Sequence, residues 1–566
     1  MGVSISIKSL SFTYHNSKQP AIKDINGEIK DGEFVVIMGH GGAGKSTLCY
    51  ATNGIVPRFY RGGEYRGNVY IADRSVREFS ISEMAKTVGL VFQDFEAQLF
   101  STNVELEIAF GLENIGLPRD EISRRIDRYI DFLDLKGKRL SDTSILSGGQ
   151  KQRLAIGAVI AMEPSVVVMD EPTSDLDPLG RAGVLSLAGL LRERKRTLVM
   201  VDYDPDTPVG ADQLWLMKDG EIIGQGRPEK YLSDEKLLLS CGVMPPQTVS
   251  LFNRMGWEGS PLTVEAAKDL IEKGNLVKRR NQRKQKDSYF NSNNFFIEAR
   301  GVYFRYPNSG NDVLRDINFG IKKGEFIAIL GQNGSGKTTI AKHLNRLLAP
   351  TSGDILIDGK PTTRYRHNEL ARLVGYVFQN PDYQIFASTV QEEVGFGLKT
   401  LGEDHKTIKR NVAEALAVTG LEGYEHRSPF VLTKGERQRV AVASVLSVKP
   451  EVIILDEPTT GLDYQHQRDS LEMLKDLNRK GHTVIIITHS MWIAEEYAHR
   501  CIVMKDGKVL DDGETRSVFA HEQRLSQASL IPSPIVRLSN WLGADAMTVE
   551  GLAEELKSYE SLTVSG

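Results

Sequence analysis

The sequence predicts an α/β protein built twice over: two tandem domains, each with a mainly parallel sheet, a helical subdomain and a small C-terminal helical appendix. Three observations predict it. A glycine-rich phosphate-loop pattern occurs as "GHGGAGKST" at 39–47 and again as "GQNGSGKTT" at 331–339. An apolar run closed by two acids occurs as "VVVMDEPTSDLD" at 166–177 and as "VIILDEPTTGLD" at 452–463. The spacing is also kept: Lys45–Lys337 and Tyr14–Tyr306 share one separation, while Gln93–Gln379 and Glu171–Glu457 share another that is six residues shorter. A repeat this long is a duplicated domain.

The elements follow in order. "FVVIM" and "VVVMD" in the first copy, and "FIAIL" and "VIILD" in the second, are short β-branched runs that read as parallel strands buried on both faces. Residues 120–134 and 404–419 carry apolar positions at helical spacing. The first copy alone contains "VPRFYRGGEYRG", which accounts for the six-residue difference. Each copy ends in a related tail, 244–270 and 531–556, so the duplication included the appendix. Residues 278–294, "KRRNQRKQKDSYFNSNN", are polar and read as a linker. The expected boundaries are 1–232 for the first nucleotide-binding domain, 233–275 for its appendix, 276–294 for the linker, 295–520 for the second domain and 521–566 for its appendix.

Composition narrows the function. Of 566 residues, 40% are hydrophobic and 25% charged, which is ordinary for a globular chain. Lys plus Arg total 70 against 74 for Asp plus Glu, so no nucleic-acid partner is expected from charge. Three cysteines without a C-x-x-C pair fit neither a disulfide framework nor a zinc knuckle and suit a reducing compartment. The N-terminus lacks the basic start and apolar stretch of a secretory signal, and Ser6 makes a poor myristoylation match. No apolar run reaches the roughly 18 residues that cross a bilayer. The expected location is therefore cytoplasmic, with any membrane role arising from docking.

The motifs carry the chemistry. G-x-x-x-x-G-K-[ST] between a strand and a helix lets backbone N–H groups curl around phosphate oxygens where a side chain would block them. The expected nucleotide-binding residues are Gly39, Gly41, Gly42, Gly44, Lys45, Ser46 and Thr47 in the first copy. In the second they are Gly331, Gly334, Ser335, Gly336, Lys337, Thr338 and Thr339. Lys45 and Lys337 would reach the β- and γ-phosphates, and Ser46 and Thr338 would offer a hydroxyl to Mg²⁺. Asp170 and Asp456, at strand ends, would complete the Mg²⁺ shell, and Glu171 and Glu457 would polarise an attacking water as general bases. The plainer reading of these acids is strand-end capping.

"LSGGQKQR" at 146–153 identifies the resemblance: with the phosphate loop, Gln and Asp-Glu motifs, the chain closely resembles the ATP-binding cassette (ABC) ATPases over nearly all of both halves. This implies two ABC nucleotide-binding domains paired head to tail within one chain, with ATP and Mg²⁺ between them. Ser147, Gly148, Gly149 and Gln150 would contact nucleotide bound to the other domain, and Thr433 and Gly435 would do so from the second copy. Tyr14 and Tyr306 fall where the family stacks an aromatic on adenine, although a lone Tyr also serves packing. Gln93 and Gln379 would bind Mg²⁺ and orient water, and His489 of "TVIIITHS" would contact the γ-phosphate. The first copy has Tyr203 in that place.

The second signature, "LTKGE", departs from the family: Lys434 replaces a glycine and Glu436 the glutamine. A carboxylate about 6 Å from a phosphate charge costs roughly 3 kcal/mol at an effective dielectric of 20, partly offset by Lys434. Head-to-tail pairing puts "LTKGE" and Tyr203 in one composite site and "LSGGQ" and His489 in the other. The expectation is one hydrolysing site and one that binds ATP and turns over slowly.

"FQNPDYQIFASTVQEEVGFGL" at 378–398 and "FQDFEAQLFSTNVELEIAFGL" at 92–112 share a Q-[IL]-F-x-[ST]-x-V core. The pair looks like the fused ATPases of energy-coupling factor (ECF) importers. That implies a membrane scaffold subunit, a substrate-capture membrane subunit, and a peripheral position on the cytoplasmic face of the membrane. Phe95, Leu99, Phe100, Tyr383, Ile385 and Phe386 could line the docking groove or simply fill the helical core. Two alternatives stay open: a tandem ABC protein acting on ribosomes, which the basic "KRRNQRKQK" favours, and the ATPase of a conventional ABC transporter.

Overall fold

A computed structural model describes residues 2–15, 17–174, 176–277, 295–307 and 310–564. The segment read as a basic linker, 278–294, lies outside the described residues. The chain divides into two compact units, Met1–Leu262 with Asp463–Gln465, and Thr263–Leu462 with His466–Gly566.

In the first unit, strands β1 (Val3–Thr13), β2 (Ile22–Lys30), β3 (Phe34–Gly39), β4 (Glu64–Ile71), β5 (Arg74–Ser75), β6 (Val88–Val91), β7 (Val166–Asp170), β8 (Thr197–Val201), β9 (Gln213–Lys218) and β10 (Glu221–Gly226) form two sheets. One is antiparallel, ordered β2-β1-β4-β5; the other is ordered β10-β9-β3-β8-β7-β6 and is parallel apart from β10. Every residue of β3, β7 and β8 is buried, as continuous apolar runs require of strands covered on both faces. Alternation divides their side chains: Val36, Met38, Val167 and Met169 join one core, and Val35, Ile37, Val166 and Val168 the other.

The first of those cores is shared with the helical subdomain, helices Val104–Asn114, Arg119–Phe132 and Gly148–Ala161. The middle helix is amphipathic: it buries Ile126, Tyr129 and Ile130 along one stripe and leaves its charges to solvent. Asn103 caps the first of the three helices through the Leu106 N–H.

The second unit repeats the plan. Strands Val374–Val377, Val452–Asp456, Thr483–Thr488, Phe326–Gly331, Arg500–Lys505 and Lys508–Glu514 lie in that order in a sheet that is parallel apart from the last strand. Helices Val390–Thr400, His405–Val418 and Lys434–Leu446 form its helical subdomain. Helix Val264–Gly274 belongs to this unit and lies against helix Pro534–Leu542, where Arg537 donates to Glu265 at 2.8 Å and the Lys268 ammonium stands 5.9 Å from the Trp541 ring centre. Among the described residues, no helix is long and apolar enough to cross a membrane.

Candidate nucleotide sites

Each phosphate loop is the turn between a buried central strand and a helix. Gly44 precedes helix Lys45–Thr52 at φ 95°, and a Cβ there would stand 2.3 Å from the Ala21 carbonyl oxygen. Gly336 does the same before helix Lys337–Leu344 at φ 101°. Only glycine suits that left-handed backbone. Neither helix start has a side-chain cap, so its first N–H groups point into the loop and remain available to an anion.

The lysines are held inward. Lys45 Nζ donates to Gly39 O and His40 O, both at 2.8 Å, and Lys337 Nζ donates to Gly331 O at 2.7 Å and Gln332 O at 2.9 Å. Burial lowers the Lys45 pKa, opposed by the neighbouring Glu171 and Asp170. Tyr14 OH lies 3.0 Å from Thr47 Oγ1, and Tyr306 OH lies 3.3 Å from Thr339 Oγ1, which ties each expected base-stacking ring to its own phosphate loop.

The acids differ between units. Thr338 donates to Asp456 Oδ1 at 3.1 Å and Tyr376 to Asp456 Oδ2 at 2.8 Å. Asp170 is equally buried, yet among the described residues neither of its carboxylate oxygens has a partner in hydrogen-bond geometry, the Ser46 hydroxyl being only a neighbour. Burial raises both pKa values, the Ser46 hydroxyl opposing it at Asp170 and Tyr376 and Thr338 at Asp456. A buried, unpartnered carboxylate beside a hydroxyl is costly alone and suits a hard divalent cation, so Ser46 with Asp170 fits Mg²⁺; Thr338 with Asp456 offers the same hard oxygen donors, already hydrogen-bonded to each other. The Tyr376 contact was missed in the sequence, although the signal was there: the aligned stretches read "VGLVFQ" and "VGYVFQ", with Leu90 where Tyr376 stands.

Both expected bases follow directly, and both adopt left-handed backbone, φ 51° at Glu171 and 47° at Glu457. Such non-glycine strain recurs at functional sites, and no sequence pattern announced it. His489 Nδ1 lies 2.9 Å from Glu457 Oε1. Burial pushes Glu457 up, but His489 and Lys337 outweigh it and leave its pKa below the ordinary value. Glu171 instead accepts from Gln93 Nε2 at 2.7 Å and from Ser174 Oγ at 3.2 Å, and it is hydrogen-bonded to Tyr203. Burial pushes its pKa up to about 7. Gln93 thus meets its glutamate in the first unit, while no such bond joins Gln379 to Glu457.

The signatures sit at helix starts. Ser147 caps helix Gly148–Ala161: its Oγ accepts from Gln150 N at 3.4 Å, and Ser147 N donates to Gln150 Oε1 at 3.1 Å. Gly148 and Gly149 form the first turn, where Gly148 has nothing within 4 Å of a Cβ position. Thr433 caps helix Lys434–Leu446 in the same way, with one change. Glu436 Oε2 accepts from Thr433 N at 2.8 Å and from the Thr433 hydroxyl at 2.9 Å, and Oε1 accepts from Tyr424 OH at 3.0 Å. This corrects the expectation of a carboxylate facing phosphate: Glu436 folds back as a capping-box acid, favoured by the positive end of its helix. Burial raises its pKa, but these bonds prevail and lower it. The Lys434 ammonium also turns back, within 2.4 Å of where a Cβ on Gly461 would stand.

The apolar residues after each glutamine divide. Phe100, Tyr383 and Phe386 are 61%, 79% and 59% exposed, whereas Phe95 and Ile385 are 7% and 4% exposed. The last two are therefore core residues, a correction to their place in the expected docking face. Leu99 is partly buried and packs against the first unit's core.

Comparison with known proteins gives one consistent result. The family described as ABC transporter matches residues 22–174 and again 314–460. A protein of Caldanaerobacter subterraneus subsp. tengcongensis, provisionally named an ABC transporter ATP-binding protein, is 48% identical over 560 residues, 96% of this chain and 97% of its own. One of the same provisional name from Methanosarcina mazei is 40% identical over 576 residues, 98% of this chain and 97% of its own. The solved structure of cbiO1 from Clostridium perfringens, described as part of the ABC transporter complex cbiONQ, is 36% identical over 43% of this chain and 98% of its own, with a TM-score of 0.38.

Proposed function

This chain belongs to the ABC transporter family and is an ATPase that carries the family's domain twice, and on that premise we propose that it powers solute uptake as the ATP-hydrolysing subunit of an ECF-type importer. The observation that carries this reading is a duplicated surface feature. Phe100 packs edge-on to Phe110 at 4.5 Å between ring centres, and Phe386 packs edge-on to Phe396 at 4.6 Å; all four rings are exposed. In the first unit the pair borders an apolar cavity of about 520 Å³, lined also by Ile81, Ala85, Ile115 and Met162. Exposed aromatics beside an apolar groove suit an amphipathic helix from a partner. A membrane scaffold subunit fits that role, with a substrate-capture subunit beyond it and this chain peripheral on the cytoplasmic face.

Two unequal composite sites are part of the proposal. In one, Lys337 would hold phosphate, Glu457 with His489 would polarise water, and Ser147, Gly148, Gly149 and Gln150 would supply the signature. In the other, Lys45 and Glu171 meet Tyr203 and "LTKGE". Mg²⁺ would be held by Ser46 and Asp170, and by Thr338 and Asp456, with Gln93 and Gln379 nearby; when bound it neutralises charge on the β- and γ-phosphates. The protein's own part is general-base orientation: His489 holds one Glu457 oxygen, which would orient the carboxylate toward a water. In the first unit Gln93, Ser174 and Tyr203 engage Glu171 from several sides.

Two experiments test this. Affinity purification of the chain from membranes is expected to bring down a small integral membrane protein, and recovery with ribosomes instead would overturn the transport reading. In the complete membrane complex, Glu457→Gln is expected to abolish turnover while Glu171→Gln retains most of it. Equal losses would make the two sites equivalent.

A further inference from the structure

We propose that the first unit's phosphate loop is a nucleoside-diphosphate site, with Tyr203 the positioning residue that keeps the terminal phosphate of a triphosphate from Lys45. It rests on the unequal-site reading above. An ammonium has three N–H donors. Those of Lys45 are matched by three acceptors: Gly39 O, His40 O and the Tyr203 hydroxyl at 3.2 Å. The Tyr203 ring also covers the ammonium, 4.5 Å from centre to Nζ. The same hydroxyl also interacts with the Glu171 carboxylate. The phenol thus accepts from the lysine and donates to the carboxylate, spanning the two groups between which a γ-phosphate and its attacking water would have to fit.

Tyr203 is not loosely placed. The buried Asp202 accepts at Oδ1 from the Tyr203 N–H at 2.7 Å and the Asp204 N–H at 3.2 Å, and at Oδ2 from Thr173 at 2.8 Å and Thr207 at 2.7 Å. Four bonds to one carboxylate fix the turn that carries the ring. In the second unit the aligned residue is Thr488, whose hydroxyl accepts from Ser490 N at 3.0 Å, and His489 bonds Glu457. A diphosphate fills the loop's N–H cradle and leaves the Lys45–Tyr203–Glu171 bridge intact. A triphosphate must break it and place its added charge against Glu171. The second unit carries His489 there, an imidazole that can donate to an anion where a phenol held by a lysine and a glutamate does not.

The test is equilibrium binding with Mg²⁺ present, using the full chain with Lys337→Ala to suppress the second unit's loop. ADP is compared with a non-hydrolysable ATP analogue. With Tyr203 in place, ADP is expected to bind about ten-fold tighter, the weight of one charge-assisted hydrogen bond. Tyr203→Phe, which keeps the ring and loses the bridge, should narrow the ratio, and Tyr203→His should bring it to unity or reverse it. Equal binding of the two nucleotides with Tyr203 in place, no binding of either, or a ratio unmoved by both substitutions would each overturn the proposal. Turnover by Glu171→Gln and Glu457→Gln is measured apart from this. Equal losses there beside a retained ADP preference would overturn the unequal-hydrolysis reading and leave the diphosphate site standing.

Discussion

The two units share strand order, phosphate-loop geometry and capped signature helices, and they part at the groups around the transferable phosphate. In the second unit, Glu457 is paired with a histidine and Asp456 is steadied by Thr338 and Tyr376. In the first, Glu171 is bonded to a tyrosine that also occupies Lys45, and Asp170 has no hydrogen-bond partner among the described residues. Conversely, the second unit's signature hydroxyl gives its proton to Glu436, while Ser147 accepts from Gln150 N and has no carboxylate at that position to donate to. Duplicated scaffolds can therefore diverge in chemistry without diverging in fold, because the sheet depends on buried apolar runs and the chemistry on a few polar contacts above it.

Substitutions can break or sharpen that contrast. The largest effect is expected for His489→Ala, which should lower steady-state ATP turnover by about 10²–10⁴-fold if it orients the working base, whereas Tyr203→Phe should leave total turnover nearly unchanged. Similar losses from both would erase the distinction between the sites. Next, Tyr376→Phe should raise the Mg²⁺ concentration for half-maximal turnover by about ten-fold, since it removes the hydrogen bond that orients Asp456, the expected metal ligand; titrating Mg²⁺ against turnover reads this directly. A smaller effect follows for the signatures. Ser147→Ala is expected to lower turnover by several-fold to about ten-fold, the net worth of one ordinary hydrogen bond, and Thr433→Ala by less, because its hydroxyl already serves Glu436.

The smallest effect concerns stability. Glu495 is fully buried and accepts from the Ser533 N–H at 2.8 Å through one oxygen, while its other oxygen is unpartnered; burial pushes its pKa up to about 7. A carboxyl with a raised folded-state pKa contributes stability that is complete below its ordinary value and lost as pH rises through about 7. Glu495→Gln should therefore melt a few degrees higher than the parent at pH 8 and alike at pH 4.5, followed by thermal denaturation at each pH. The corresponding first-unit stretch, Thr207–Gly210, holds no carboxylate, so the effect belongs to the second unit alone.

Most of the chemistry was legible in the sequence because phosphate loops and strand-end acids are local devices: a handful of adjacent residues fixes both backbone and side-chain direction. The duplicated α/β fold was legible for a similar reason, since continuous apolar runs can only be strands covered on both faces. What the sequence by itself determined was thus the family and its nucleotide, with a set of candidate site residues. Only the tertiary structure decided their partners. Tyr203 spans a lysine and a glutamate far away in sequence, and Phe95 enters the core while Phe100, five residues on, faces solvent. Hydrogen-bond partners and burial are set by which distant segments pack together, and no local pattern encodes that.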